Sequence, residues 1–260
     1  MFPIKSLDGV DVDAAELTAR GGFRHDRRFA LFDADGKVVN GKSEPRVHGL
    51  RVTYDPSLSI AAFTDAATGA QRTFRLAADA AALAAWLGPI FGRPVSLRCD
   101  DDGGFPDDEL APGPTIVSTA TLSAVASWFP GLDVDSLRRR LRTNVEIDGV
   151  PAFWEDGLFG PAGESVAFRI GEIVFEGTNP CQRCVVPSRD PLTGEPFALF
   201  AKRVAEQRAA TLPVWAARAR FDHFYRLAVN TRVPAAQTGR AVRVGDAVRR
   251  NAPALERQSV

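Results

Sequence analysis

Between residues 28 and 98 the sequence is cut into short apolar runs by turn residues, and that rhythm restricts the fold more than any other feature. Residues 28–32 carry Phe29 and Leu31 on one face. The chain then turns through Asp33-Ala34-Asp35-Gly36, with Lys37-Val38-Val39 as the returning strand of a hairpin. Residues 50–54, 58–63 and 71–76 read as further strands, separated by loops at Asp55-Pro56 and 65–69. Short strands at this spacing build a small barrel or sandwich. One helix interrupts them: residues 79–87 are Ala-rich, place Leu83, Trp86 and Leu87 at helical spacing, and stop at Gly88-Pro89. A strand at 95–98 closes the series.

The second half is mixed. Residues 100–114 are acidic and rich in Gly and Pro, the signature of a linker or mobile loop. Ser118 or Thr119 caps a helix through Leu122, Val125 and Trp128, and residues 135–141 form a short basic helix. Residues 144–147 and 166–175 read as strands, 202–208 and 214–220 as helices, and Gly245-Asp246 as a turn leading into a strand. The expected architecture is β-rich α+β: a small β-barrel or sandwich over 1–98, a linker over 99–114, and a second β-barrel domain with peripheral helices over 115–260.

Composition narrows the function. Lys+Arg and Asp+Glu both number 32, so no global charge draws the chain to nucleic acid or to an anionic membrane. No run of 18 apolar residues is present, so no membrane span is expected. Three cysteines, Cys99, Cys181 and Cys184, are too few and too odd for a disulfide scaffold. A reducing, cytoplasmic setting is the expectation.

Cys181-Gln182-Arg183-Cys184 is the most informative stretch, and it has several readings. A structural zinc needs four ligands, and only Cys99 and three histidines remain. A redox pair needs its second cysteine in a helix, whereas Val185-Val186-Pro187 looks extended. Two inert thiols are the plainest reading. A single thiolate holding a thiophilic metal is the fourth, with Arg183 beside Cys184 favouring its deprotonation. Asp190-Pro191-Leu192-Thr193-Gly194 follows as a turn that brings the segment to a surface or pocket rim.

The Cys-x-Arg-Cys run followed by Asp190-Pro191-x-Thr193-Gly194 resembles the core of the MOSC domain. Pro3-Ile4-Lys5-Ser6-Leu7-Asp8-Gly9, Asp26-Arg27-Arg28-Phe29 and Glu44-Pro45-Arg46 resemble the MOSC N-terminal β-barrel domain. Arg142-Thr143-Asn144-Val145, with Glu155-Asp156 downstream, is similar to the family's Arg-x-Asn segment. The blocks run in order along nearly the whole chain, and the likeness extends to the amidoxime-reducing components and their bacterial counterparts.

The resemblance implies the molybdenum cofactor, molybdopterin, with Cys184 as metal ligand and catalytic residue. It implies pterin and phosphate contacts at Lys5, Ser6 and Arg27, and contacts nearer the metal at Arg142 and Asn144. It also implies reduction of a small N-oxygenated substrate with electrons from an external flavin, haem or iron–sulfur protein. Pyridoxal phosphate binding is a family-level possibility. A sulfur carrier or cofactor-handling protein with a Cys184 persulfide is the alternative, and a non-catalytic barrel the third reading. Each charged residue also has a plainer role: Lys5 as a strand-edge lysine, Arg27 as a hairpin ion-pair partner, Arg142 on a solvated helix face. Cys181 shapes the turn or packs in the core, Cys99 is structural, and His223 is a core or supporting histidine. His25 is expected to face the pocket of Arg27, and His48 carries no signal. The family's acidic residue near the metal has no assigned match in 107–114.

Overall fold

The computed structural model describes residues 1–250. Its first strand, β1 (Ala14–Glu16), leaves the amino-terminal half altogether and is taken up below. β2 (Phe29–Asp33) pairs antiparallel with β6 (Val95–Cys99), while β3 (Leu50–Tyr54), β4 (Ile60–Asp65) and β5 (Gln71–Arg75) form an antiparallel meander. In β4, Ala61, Phe63 and Asp65 point inward and alternate with exposed residues, the two-residue period of a half-buried strand. Phe63 and Phe74 meet Trp86 of α1 (Ala80–Phe91) edge-on or tilted, with ring centroids about 6 Å apart. Burying a ring such as Phe63 contributes about 2 kcal/mol.

α1 runs past the stop expected at Gly88-Pro89. Leu83, Leu87 and Phe91 lie on one buried stripe, and a glycine ahead of the proline leaves no Cβ to clash with its ring. The helix ends instead at Gly92, whose left-handed φ of 62° lets its N–H return to the Gly88 and Pro89 carbonyls. The expected hairpin return at 37–39 shrinks to a single bridge, Phe32 to Val38, because β2 takes β6 as its strand partner.

The second half is built on a six-stranded sheet. Its order is β13 (Val248–Arg250), β9 (Val166–Ile170), β10 (Ile173–Gln182), β11 (Arg226–Arg232), β7 (Ile116–Ser118) and β8 (Val145–Ile147). Only the β7–β8 pair is parallel. The single strand expected over 166–175 is two strands, because Gly171 at φ 55° turns the chain back on itself. Helices α2 (Thr119–Ser127), α3 (Val134–Leu141) and α4 (Phe200–Thr211) pack on one side, where Phe129 and Phe200 stack at 4.7 Å. Ser118 caps α2 by accepting from the Thr121 N–H. The helix expected over 214–220 is absent: Val214 is almost fully exposed, and only a three-residue 3-10 turn forms at Arg218–Arg220.

Two features tie the halves together. β1 pairs with β12 (Ala241–Arg243), and Ala15, Leu17 and Phe23 join the core of the second half beside Ile116, Phe168 and Val229. β10 and β11 pair with register shifts at Gly177/Asn179 and Pro180/Gln182. Gly177, at the first of these, lets the strand pass close to Leu158, whose carbonyl oxygen a Cβ there would run into. Among the described residues no helix is long and apolar enough to cross a membrane.

Candidate functional site

The two irregularities in β10 leave Asn179 and Cys181 facing a cavity of about 810 Å³ between the halves. That volume suits a small-molecule or cofactor site. All six residues singled out from the sequence line it: Lys5, Ser6, Arg27, Arg142, Asn144 and Cys184. Three of them, Ser6, Arg27 and Arg142, hold left-handed backbone at φ 73°, 49° and 54°. Non-glycine residues adopt that region at a cost, and such positions cluster at binding sites.

The amino-terminal wall is fastened by segment 100–114. Lys5 Nζ donates to the Phe105 and Pro106 carbonyls and to Asp107 Oδ1, each at 2.9 Å. Arg27 pairs closely with Asp26 and reaches Asp107 Oδ2 at 3.8 Å. Crowding by the cavity wall by itself raises the Asp107 carboxyl, although the side chain keeps much of its exposure, and the charges of Arg27 and Lys5 outweigh it and hold the group down at about 2. Asp108 accepts from Asn230 Nδ2 at 3.0 Å. The segment read as a linker is thus held across the cavity by its own carboxylates.

The opposite wall carries unsatisfied donors. Arg142 terminates α3, its N–H bonded to the Arg138 carbonyl, and its guanidinium lies 4.2 Å from the centre of the Phe2 ring. Arg27 approaches the same ring at 5.4 Å. Among the described residues Arg142 has no ion-pair partner, and its Nη2 is buried without an acceptor. Burial, with the like charge of Arg27, lowers its ionisation to about 10, so it stays cationic at neutral pH. Asn144 accepts through Oδ1 from the Thr115 N–H and hydroxyl, each at 3.2 Å, which fixes its amide orientation. Its Nδ2 is left buried and unpartnered.

Cys184 is half-buried in the turn after β10. Arg183 does not engage it: the guanidinium donates through Nη1 to Cys181 Sγ at 3.1 Å and through Nη2 to the Leu141 carbonyl. The support expected for the Cys184 thiolate goes to its neighbour, because the Leu141 carbonyl draws the side chain toward α3. Tyr225 stands behind this turn. Burial pushes its phenol well above the ordinary value, the charges of Arg183 and Cys184 bear on it, and its hydroxyl is unpartnered.

The histidines differ from expectation. His25 lines a second cavity of about 190 Å³ rather than the first, since its φ of 71° turns it away from Arg27. His48, which carried no signal, is buried in the wall of the main cavity. His223 is half-buried near Asp222, outside both cavities. Cys99 is exposed at the end of β6 and lies 3.4 Å from Asp101. Asp107, Asp108, Arg189 and Asn230 also line the main cavity and were not singled out from the sequence. Only the acidity of residues 100–109 could have hinted at the first two.

The cavity wall holds ten Lys and Arg against five Asp and Glu, although the chain as a whole is neutral. That excess of positive charge favours an anionic, acceptor-rich guest, and a thiol stands at one edge. Among the described residues no group of three or more His, Cys, Asp or Glu could hold a metal by itself. A metal beside Cys184 would therefore draw most of its ligands from that guest.

Residues 1–88 match the family described as MOSC N-terminal beta barrel domain, and residues 115–249 match the MOSC domain. A molybdenum cofactor sulfurase of Caenorhabditis briggsae is 27% identical over 226 residues, covering 78% of this chain and 30% of the sulfurase. Mitochondrial amidoxime reducing component 2 of Bos taurus is 43% identical over 63 residues, covering 23% of this chain and 19% of that protein. Mitochondrial amidoxime-reducing component 1 of Homo sapiens is 25% identical over 231 residues, covering 75% of this chain and 66% of that protein. The chain thus spans less than a third of the sulfurase it matches.

Proposed function

The chain belongs to the MOSC domain family, and from that premise we propose that it binds the molybdenum cofactor in the cavity between its halves and uses it to reduce small N-oxygenated compounds. The observation that carries this reading is the convergence on one cavity of a half-buried thiol, a surplus of cations and two buried donors that lack acceptors.

These residues fit a phosphorylated pterin dithiolene. Arg27 would offer its planar fork and Ser6 its hydroxyl to a phosphate, while Lys5, whose three donors are spent on Phe105, Pro106 and Asp107, would add positive charge rather than a direct bond. Asn144 Nδ2 and Arg142 Nη2 are the donors that acceptor atoms on a pterin edge would satisfy. Cys184 supplies the one protein thiolate that a soft metal requires. When bound, the cofactor supplies the redox centre; the protein contributes binding and orientation. Arg142 and Arg27, both against Phe2, keep the local potential positive. Asp107 and Asp108 hold segment 100–114 over the site and limit the entry of water. Electrons come from a separate flavin, haem or iron–sulfur protein.

The long match to a sulfurase favours a second reading, a sulfur carrier with a Cys184 persulfide. One experiment separates the two: metal, pterin and persulfide analysis of protein from a cofactor-competent host, beside Cys184→Ser. The expected result is near-stoichiometric molybdenum and pterin in the parent, with molybdenum lost in the variant and the circular dichroism unchanged. A persulfide without metal supports the carrier. Stoichiometric molybdenum retained by Cys184→Ser overturns the ligand assignment.

A further inference from the structure

Two sets of cations in the cavity differ in their partners. Lys5 and Arg27 are already faced by Asp26 and Asp107. The other group surrounds His48. Its principal member, Arg189, has no ion-pair partner among the described residues. Its Nη1 reaches only the Gly194 carbonyl, at 3.3 Å, and its Nε is buried without an acceptor. The adjacent acid, Asp190, is spent elsewhere: it accepts from the Leu192 and Thr193 N–H groups and the Thr193 hydroxyl, and it pairs with Arg140.

The surroundings of Arg189 are built and held close. Arg51 donates to the His48 carbonyl at 2.6 Å and to the Pro191 carbonyl at 3.2 Å while facing Asp8 at 3.3 Å; its Nε has no partner. Gly194, at φ 77°, brings the turn after Arg189 against His48, where a Cβ would lie 3.3 Å from the His48 Cβ. Gly41 packs on the other side, so that a Cβ there would meet His48 Nε2 at 2.8 Å. That Nε2 is buried and unpartnered. Burial and the charges of Arg189, Arg142 and Arg51 together pull the imidazole below its ordinary value, so the positive field here comes from the guanidiniums.

We infer that this lobe of the cavity, with Arg189 as its principal donor, binds a carboxylate or phosphoryl group carried by the substrate. The physical reason is the imbalance: a half-buried guanidinium in the cavity wall, with free donors and no ion-pair partner, favours an oxyanion over a neutral group. The inference rests on the proposed reduction of a small N-oxygenated compound at this site, and it adds that the compound is anionic.

The test titrates the purified protein with an aromatic amidoxime bearing a carboxylate and with its uncharged carboxamide counterpart, without reductant, by calorimetry. The charged ligand is expected to bind about tenfold tighter. Arg189→Gln, which keeps a donor for Gly194, should reduce that preference to about twofold or less. Arg189→Lys should restore part of it, and molybdenum and pterin content should be unchanged in both. Should Arg189→Gln fail to fold, added phosphate must still compete with the carboxylate ligand for the parent protein. Equal affinities in the parent, or a preference untouched by the variants, overturn the inference while leaving the cofactor reading intact. Loss of pterin from a folded Arg189→Gln also overturns it, because the lobe would then serve the cofactor's own phosphate. Absence of molybdenum and pterin from the parent removes the reading of function, whereas charge preference still reads the lobe.

Discussion

Arg142 combines three costs in one residue. It holds left-handed backbone at the end of α3, its guanidinium is desolvated against Phe2, and one of its nitrogens has no acceptor. A buried cation without a partner weakens the folded state, so its presence points to a ligand rather than to packing. Replacing it with an apolar residue of similar length should therefore separate stability from binding. Arg142→Met is expected to leave the melting temperature of cofactor-free protein unchanged or a few degrees higher, while pterin retained through gel filtration falls at least tenfold. A melting temperature lowered by more than about 5 degrees would assign the arginine to structure instead. At this scale the sequence was most legible. Lys5, Ser6, Arg27, Arg142, Asn144 and Cys184, the residues that the family resemblance implies, reach one cavity from four distant stretches. What it could not show is side-chain direction. Arg183 is adjacent to Cys184 yet serves Cys181, and Arg189 looks like any surface arginine until Asp190 is seen to be occupied.

Segment 100–114 shows how composition misleads about an element. Gly, Pro and Asp in succession read as a tether, but the same carboxylates that suggest solvation find Lys5, Arg27 and Asn230 across the cavity. The Asp107 carboxyl ionises at about 2 instead of its ordinary 3.8, so its folded form prefers the charged state. The sign follows directly: this fastening is fully present above about pH 4 and is lost as the pH falls through 2. Hydrogen exchange across 103–110 is expected to be slow at pH 5 and to quicken, after correction for intrinsic rates, as the pH approaches 2. Asp107→Asn should be fast at both. Equal protection in the variant and the parent at pH 5 would show that Asp107 does not hold the segment. Regular elements were easier to read. β3, β5, β6, α2 and α3 follow period and capping closely, whereas α1 outruns Pro89 because Phe91 continues the buried stripe of Leu83 and Leu87. β11 was not foreseen; its five buried residues form a continuous apolar and polar run without alternation.

The molecule as a whole is less divisible than its family blocks suggest. β1 lies in the first block by sequence but pairs with β12, and Leu17 and Phe23 belong to the core of the second half. No local pattern announces such an exchange, since a three-residue strand carries almost no periodic signal. Residues of both halves also build the cavity wall. Heat is therefore expected to unfold the chain in one step, with calorimetric and van't Hoff enthalpies equal within error. Two resolved transitions would mean that the exchanged strand contributes little to cooperativity.

That traded strand also bears on how a guest arrives. Halves laced together by β1 and β12 cannot swing apart like the covers of a book. A bulky visitor must be admitted through a local door, and the acidic strap offers one: between its backbone bonds at Phe105 and Gly113 it is latched by Asp107 and Asp108. Admission and escape then share a single latch, so whatever loosens it for loading also sets how long the occupant stays.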